Sequence, residues 1–194
     1  VIALGFRAHT GWAAMVALRG TAAGPEVVDR RRVDFIEDGR PTAVFHAAGA
    51  TDLDPAEAEA LVRKATESMT RMATVAIGEL CRELGGVTSA GVVLGSGRAT
   101  LDVKRAISSH AGKHAAEGEL ARQVLVDGSA GAGLEVVGVR EKELVERGSS
   151  VLGLDPDELR TRIVDLGRPV GAPWTKDQKD AALVAWIALE ARRA

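Results

Sequence analysis

VTSAGVVLGSG, residues 87–97, decides the architecture. Its apolar residues run on without polar alternation between Gly85-Gly86 and a glycine-rich turn, the pattern of a strand covered on both faces in a parallel sheet. Parallel strands need crossover connections, so the flanking segments are expected to be helical. Upstream, LDPAEAEA opens a helix with Asp54 as N-cap, Pro55 at the first helical position and Glu57 three residues after the cap. Leu61, Ala65, Met69, Met72, Ala76, Leu80 and Leu84 then recur at steps of three and four, which predicts one helix of about 30 residues ending at Gly85-Gly86. Downstream, a helix is expected from about Ala115 to Val126, followed by a second buried strand, LEVVGV.

Three strand-like stretches precede the long helix: Val1 to Ala8, Trp12 to Leu18 and Glu26 to Phe35. Short turns between them imply an antiparallel meander. In the third, alternation puts Val27, Asp29, Arg31, Val33 and Phe35 on one face and Val28, Arg30, Arg32 and Asp34 on the other. Charge on both faces suits an edge strand, and it splits the RRR run at 30–32 too far to make a phosphate-tracking stripe. Residues 36–52 read as a loop. LDPDEL repeats the capping pattern with Asp155, Pro156 and Glu158 and opens a short helix through Leu166. RPVGAPW is a rigid connector, after which Thr175 and Gln178 start a closing helix that is apolar nearly all round and therefore expected to be largely buried.

The 194 residues, 46% of them hydrophobic, suffice for one well-filled core, so a single domain over 1–194 is expected. A net charge of −2 supplies no overall basic field for nucleic acid, and three Phe, three Trp and no Tyr leave few surfaces for stacking bases. The lone cysteine, Cys81, excludes an intrachain disulfide and reads as a small core residue. With no apolar run of bilayer length and no basic leader ahead of the first strand, a cytoplasmic protein with no membrane partner is expected.

Three antiparallel strands, a long helix, a strand, a helix, a strand and a closing helix resemble the element order of the ribonuclease H-like fold. TGW at 10–12 resembles the turn entering the second strand of RuvC-like Holliday-junction resolvases, and DQKDAALVAW resembles their closing helix. The resemblance implies an α/β domain with a five-stranded mixed sheet. It also implies phosphodiester hydrolysis by two metal ions, held by carboxylates on the first strand, at the end of the fourth strand and on the closing helix. Two divalent cations about 4 Å apart repel unless several anionic oxygens surround them, so the acids must come from several elements at once. Asp177 and Asp180 can supply the closing-helix share. Strand one, however, continues from Phe6 into Arg7, and strand four ends in LGSGR; neither carries an acid.

The carboxylate set is thus incomplete, and divergent or lost hydrolysis is expected, with nucleic acid as the candidate partner. The remaining candidates are read from chemistry. Asp180, Asp177, His9 and Glu117 could act as acid-base groups, with the His9 imidazole placed beside Asp180. Arg7, Thr10, Ser96, Arg98 and Lys113 could contact phosphate. His110, His114 and Glu117 fall at helical spacing in SSHAGKHAAEGELAR and, with Asp180, form a candidate site for one divalent metal ion. Competing readings are an inactive scaffold or homodimer module, and a small phosphate-ligand or nucleotide site at GSGR and the histidine-rich loop.

Overall fold

The computed structural model describes residues 1–21, 23–37, 39–50, 53–95, 97 and 100–191. Strands β1 (Ile2–His9), β2 (Trp12–Thr21) and β3 (Gly24–Asp34) form the expected antiparallel meander, and β4 (Val87–Leu94) and β5 (Glu135–Arg140) complete one mixed sheet in the order β3-β2-β1-β4-β5. β4 runs parallel to β1 and β5 parallel to β4, so the carboxyl ends of β1, β4 and β5 share one edge. β3 is the edge strand its charges suggested. Its alternation does not run through, because a bulge sets Asp29 opposite Ala17 but Val27 opposite Leu18. The extra residue turns Val27 to the opposite side from Val33 and Phe35, while Val28 joins them.

One face of the sheet is covered by α1 (Val44–Ala50), α2 (Pro55–Leu84), α3 (Val103–Ile107) and α4 (His110–Gly131). α2 packs chiefly on α4 and meets the sheet at β3. Asp54 and Glu57 make the reciprocal capping bonds their spacing predicts. The most buried line of α2 is Ala58, Val62, Met69, Ala73, Ile77 and Leu80, with Leu61, Ala65, Met72, Ala76 and Leu84 packed beside it. Cys81 is half-buried against this core, and burial pushes its thiol up.

The other face carries α7 (Lys176–Ala191), with α5 (Leu144–Leu152) and α6 (Pro156–Leu166) beyond it. Thr175 and Gln178 exchange capping bonds at its start. Every residue from Ala181 to Leu189 is buried, as expected for a helix between a sheet and an outer helical layer. Gly5 and Gly91 are neighbours across β1 and β4, and both lie under the α7 backbone. A Cβ on Gly5 would stand 1.9 Å from the carbonyl oxygen of Ala181, and one on Gly91 2.3 Å from that of Val184. The helix lies on this bare strip of sheet, which places its first turn beside the carboxyl end of β1.

Helices also form outside the segments expected to be helical. α1 arises within the expected 36–52 loop, and α5 follows a 3-10 turn at Glu141–Glu143. α4 is also longer at both ends than expected, starting at its N-cap Ser109, whose side chain accepts from the Gly112 amide. The three arginines of β3 are all engaged. Arg30 donates to the carbonyls of Val170, Gly171, Ala172 and Pro173, Arg31 pairs with Asp29 and Glu83, and Arg32 pairs with Asp34 and lies over Trp12.

Candidate functional site

At the carboxyl end of β1, the side chains of Arg7 and His9 face α7, since alternation puts them on the same side as Gly5. Arg7 donates to Glu141 at 2.8 Å and stands 3.8 Å from Asp177 and 4.0 Å from Asp180. Lys176 bridges Asp180 at 2.6 Å and Glu141 at 3.0 Å. His9 Nε2 lies 2.9 Å from Asp177 and its ring stacks on Trp12 at 4.1 Å. Three carboxylates therefore face two fixed cations and one imidazole, and each carboxylate has at least one partner.

The electrostatics follow from these pairings. Burial pushes the Glu141 carboxyl up, but hydrogen bonds and charge from Lys176 and Arg7 outweigh it and hold the group below its ordinary value. Lys176 is held above its ordinary value, first by its hydrogen bond to Asp180 and then, against burial, by Glu141. Among the described residues, larger clefts lie elsewhere: about 610 Å³ between α2 and Ile36, Glu37, Arg40 and Pro41, and about 380 Å³ between β3 and α6.

The structure brings His9, Arg7, Asp177 and Asp180 together, and His9, expected beside Asp180, meets Asp177 instead. Thr10 sits exposed in the hairpin turn. Ser96 and Arg98 lie outside the described residues. Glu141 and Lys176 were not foreseen. Glu141 follows a buried parallel strand, and groups at the carboxyl ends of such strands are where α/β sites are assembled.

The proposed union of His110, His114 and Glu117 with Asp180 does not form. α4 passes the end of β4 at Arg122, whose guanidinium occupies the space beside Gly95. His114 and His110 stand eight and twelve residues nearer the start of the helix, roughly 12 and 18 Å along its axis, in the layer opposite α7. Glu117 is buried, and its Oε1 accepts from the amides of Phe45 at 2.6 Å and His46 at 3.1 Å. It caps α1 instead of reaching α7. The third imidazole beside His110 and His114 is that of His46. Lys113 lies along α1, its Nζ 3.1 Å from where a Cβ on Gly49 would be.

The sheet order, the meander, the crossover helices and the buried closing helix together define a ribonuclease H-like fold of the RuvC type. A Thermus thermophilus RuvC in complex with a Holliday junction substrate superposes over 100% of this chain and 95% of its own, with a TM-score of 0.58 at 9% identity. A second Thermus thermophilus RuvC structure gives a TM-score of 0.55 at 10% identity, over 100% of this chain and 96% of that one. No family model and no curated protein sequence matches the chain. Among the described residues, no helix is long and apolar enough to cross a membrane.

Proposed function

We propose that this chain is a nucleic-acid-binding ribonuclease H-like domain in which a resident guanidinium has replaced two-metal hydrolysis. The observation that carries this reading is Arg7, which comes from β1 and points into the carboxylates of Asp177, Asp180 and Glu141. Metal ions held there would have to displace or face a fixed positive charge, while neither β1 nor β4 adds an acid to offset it. The residues present do not fit a pair of divalent cations.

Nucleic acid as partner is supported by the RuvC-type fold, one of whose solved examples holds a Holliday junction substrate. It is also supported by Lys104 and Arg105 on α3. Both are exposed, and no carboxylate within ion-pairing distance is found for them among the described residues. α3 lies between β4 and α4 in the chain and packs on α4, in the helical layer opposite α7. The acidic net charge opposes DNA at long range, so binding rests on local phosphate contacts by cations such as Lys104 and Arg105, and the counterions these release make it salt-sensitive.

Fluorescence anisotropy with a labelled four-way junction, followed by a denaturing gel in magnesium, tests both halves. The expected result is binding that weakens steeply with salt and a junction that stays intact. Lys104→Ala combined with Arg105→Ala should weaken binding and reduce the log-log salt slope by about two. No binding at low salt would remove the nucleic-acid reading, and cleavage abolished by Asp180→Asn would restore a nuclease.

A further inference from the structure

The second polar cluster lies on the other side of the sheet and shares no residue with the first. His110 and His114, one turn apart on α4, have their Nε2 atoms 2.9 Å from each other. The ring of His46, on α1, stands edge-on to both, with centroids 5.5 and 4.7 Å away. One ring nitrogen from each of the three lies within 4.8 Å of the other two, and no other group of three His, Cys, Asp or Glu among the described residues comes so close.

Around a tetrahedral zinc ion, nitrogen ligands at about 2.0–2.1 Å lie roughly 3.4 Å apart, so shifts of about an ångström bring these imidazoles to ligand spacing. His46 is already oriented. Its Nδ1 is 3.4 Å from Glu117 Oε1, and that buried carboxylate is fixed in turn by the Phe45 and His46 amides. A proton on Nδ1 would be shared with Glu117 and leave Nε2 with its lone pair outward, the carboxylate–histidine pairing that supports metal-binding imidazoles. The contact between His110 and His114 requires a donor and an acceptor nitrogen; a metal ion would take the place of the shared proton. Both of those rings are exposed, so a coordination position remains open to solvent.

We infer that His46, His110 and His114 form a binding site for one transition-metal ion of the zinc class, with Glu117 positioning His46 and a fourth position open to water or an added ligand. Three imidazoles favour such an ion over magnesium, which prefers oxygen ligands. The site does not depend on the nucleic-acid reading. Neither Asp180 nor the Arg7 cluster takes part.

Calorimetric titration of the intact chain with zinc is expected to show one ion per chain. Cobalt(II) should give the strong visible absorption of tetrahedral coordination. His46→Ala, at a half-buried ring, and His110→Ala, at an exposed one, should both leave the circular dichroism unchanged, since the Glu117 bonds to the α1 amides are kept, while weakening zinc by more than about 100-fold, beyond the roughly 10- to 100-fold cost of losing an outer partner. Glu117→Gln should fall within that smaller range, and Asp180→Ala should bind as the native chain does. Absence of zinc binding to the native chain, or undiminished binding by folded His46→Ala, would overturn the assignment, as would its loss in Asp180→Ala.

Discussion

Gly5→Ala is expected to cost about 3 kcal/mol of folding stability, at the upper end of what overpacking a core usually does. The added methyl would stand 1.9 Å from the Ala181 carbonyl oxygen and 2.8 Å from the Ala185 Cβ. The first of these is backbone, which cannot rotate away as a side-chain tip can. Nor can α7 step back freely, because α5 and α6 close over its outer side and Ala181 to Leu189 are all buried. Gly91→Ala, with its closest approach at 2.3 Å, should act in the same direction and less severely. Gly78 gives the opposite case. It lies inside α2 with nothing within 4 Å of its would-be Cβ, so Gly78→Ala should add about 0.5–1 kcal/mol. Urea unfolding of the three variants checks this: the midpoint should fall for Gly5 and Gly91 and rise for Gly78. Equal midpoints for native and Gly5→Ala would mean that α7 does not lie so close to β1.

The same strip shows where sequence reading succeeds. Periodicity marks α7 as buried on every side, and the apolar run of β4 marks a strand with both faces covered; both signals are local and survive without a partner in view. What the pattern did not reveal is that two glycines in different strands stand side by side, because registry across strands is a long-range property. The site divides likewise. Asp177 and Asp180 are legible through the likeness of the closing helix, and Arg7 through its place at the end of strand one, whereas its pairing with these acids is a long-range contact that the sequence does not display. His46 was lost with α1, a seven-residue helix too short to announce itself by propensity or periodicity. The Glu117 carboxylate that caps it comes from α4, 71 residues beyond His46. Glu117 itself read as a metal ligand because its spacing from His114 was visible and its bonds to the α1 amides were not.

Arg7→Asp should reverse how the carboxylate cluster responds to acid and to metal. In the native chain, Glu141 is held below its ordinary value of 4.5, so its contribution to stability is complete above that pH and is lost as pH falls through the lower folded value. Lys176 is held above 10.5, so its contribution is complete below that pH and is lost as pH rises through the higher folded value. Together they give a plateau between those limits. The substitution removes a charge-assisted hydrogen bond and adds a fourth carboxylate facing only Lys176 and His9. Arg7 is 21% exposed and Glu141 38%, so solvent screens part of the loss and about 2 kcal/mol is expected at neutral pH. Crowded carboxylates favour protonation of one of their number, so the variant should gain stability, relative to the native chain, as pH falls from neutrality into the weakly acidic range, where the Glu141 and Lys176 contributions are constant. A divalent cation would serve the same purpose as the proton, adding about 2.7 kcal/mol at a hundred times its dissociation constant. Thermal midpoints of both chains, measured in chelator, magnesium and manganese across this pH range, decide the matter. The native midpoint should ignore magnesium and the variant's should rise with either metal; a variant as stable as the native chain in chelator and indifferent to metal would show that Arg7 is not the cation that holds these acids together.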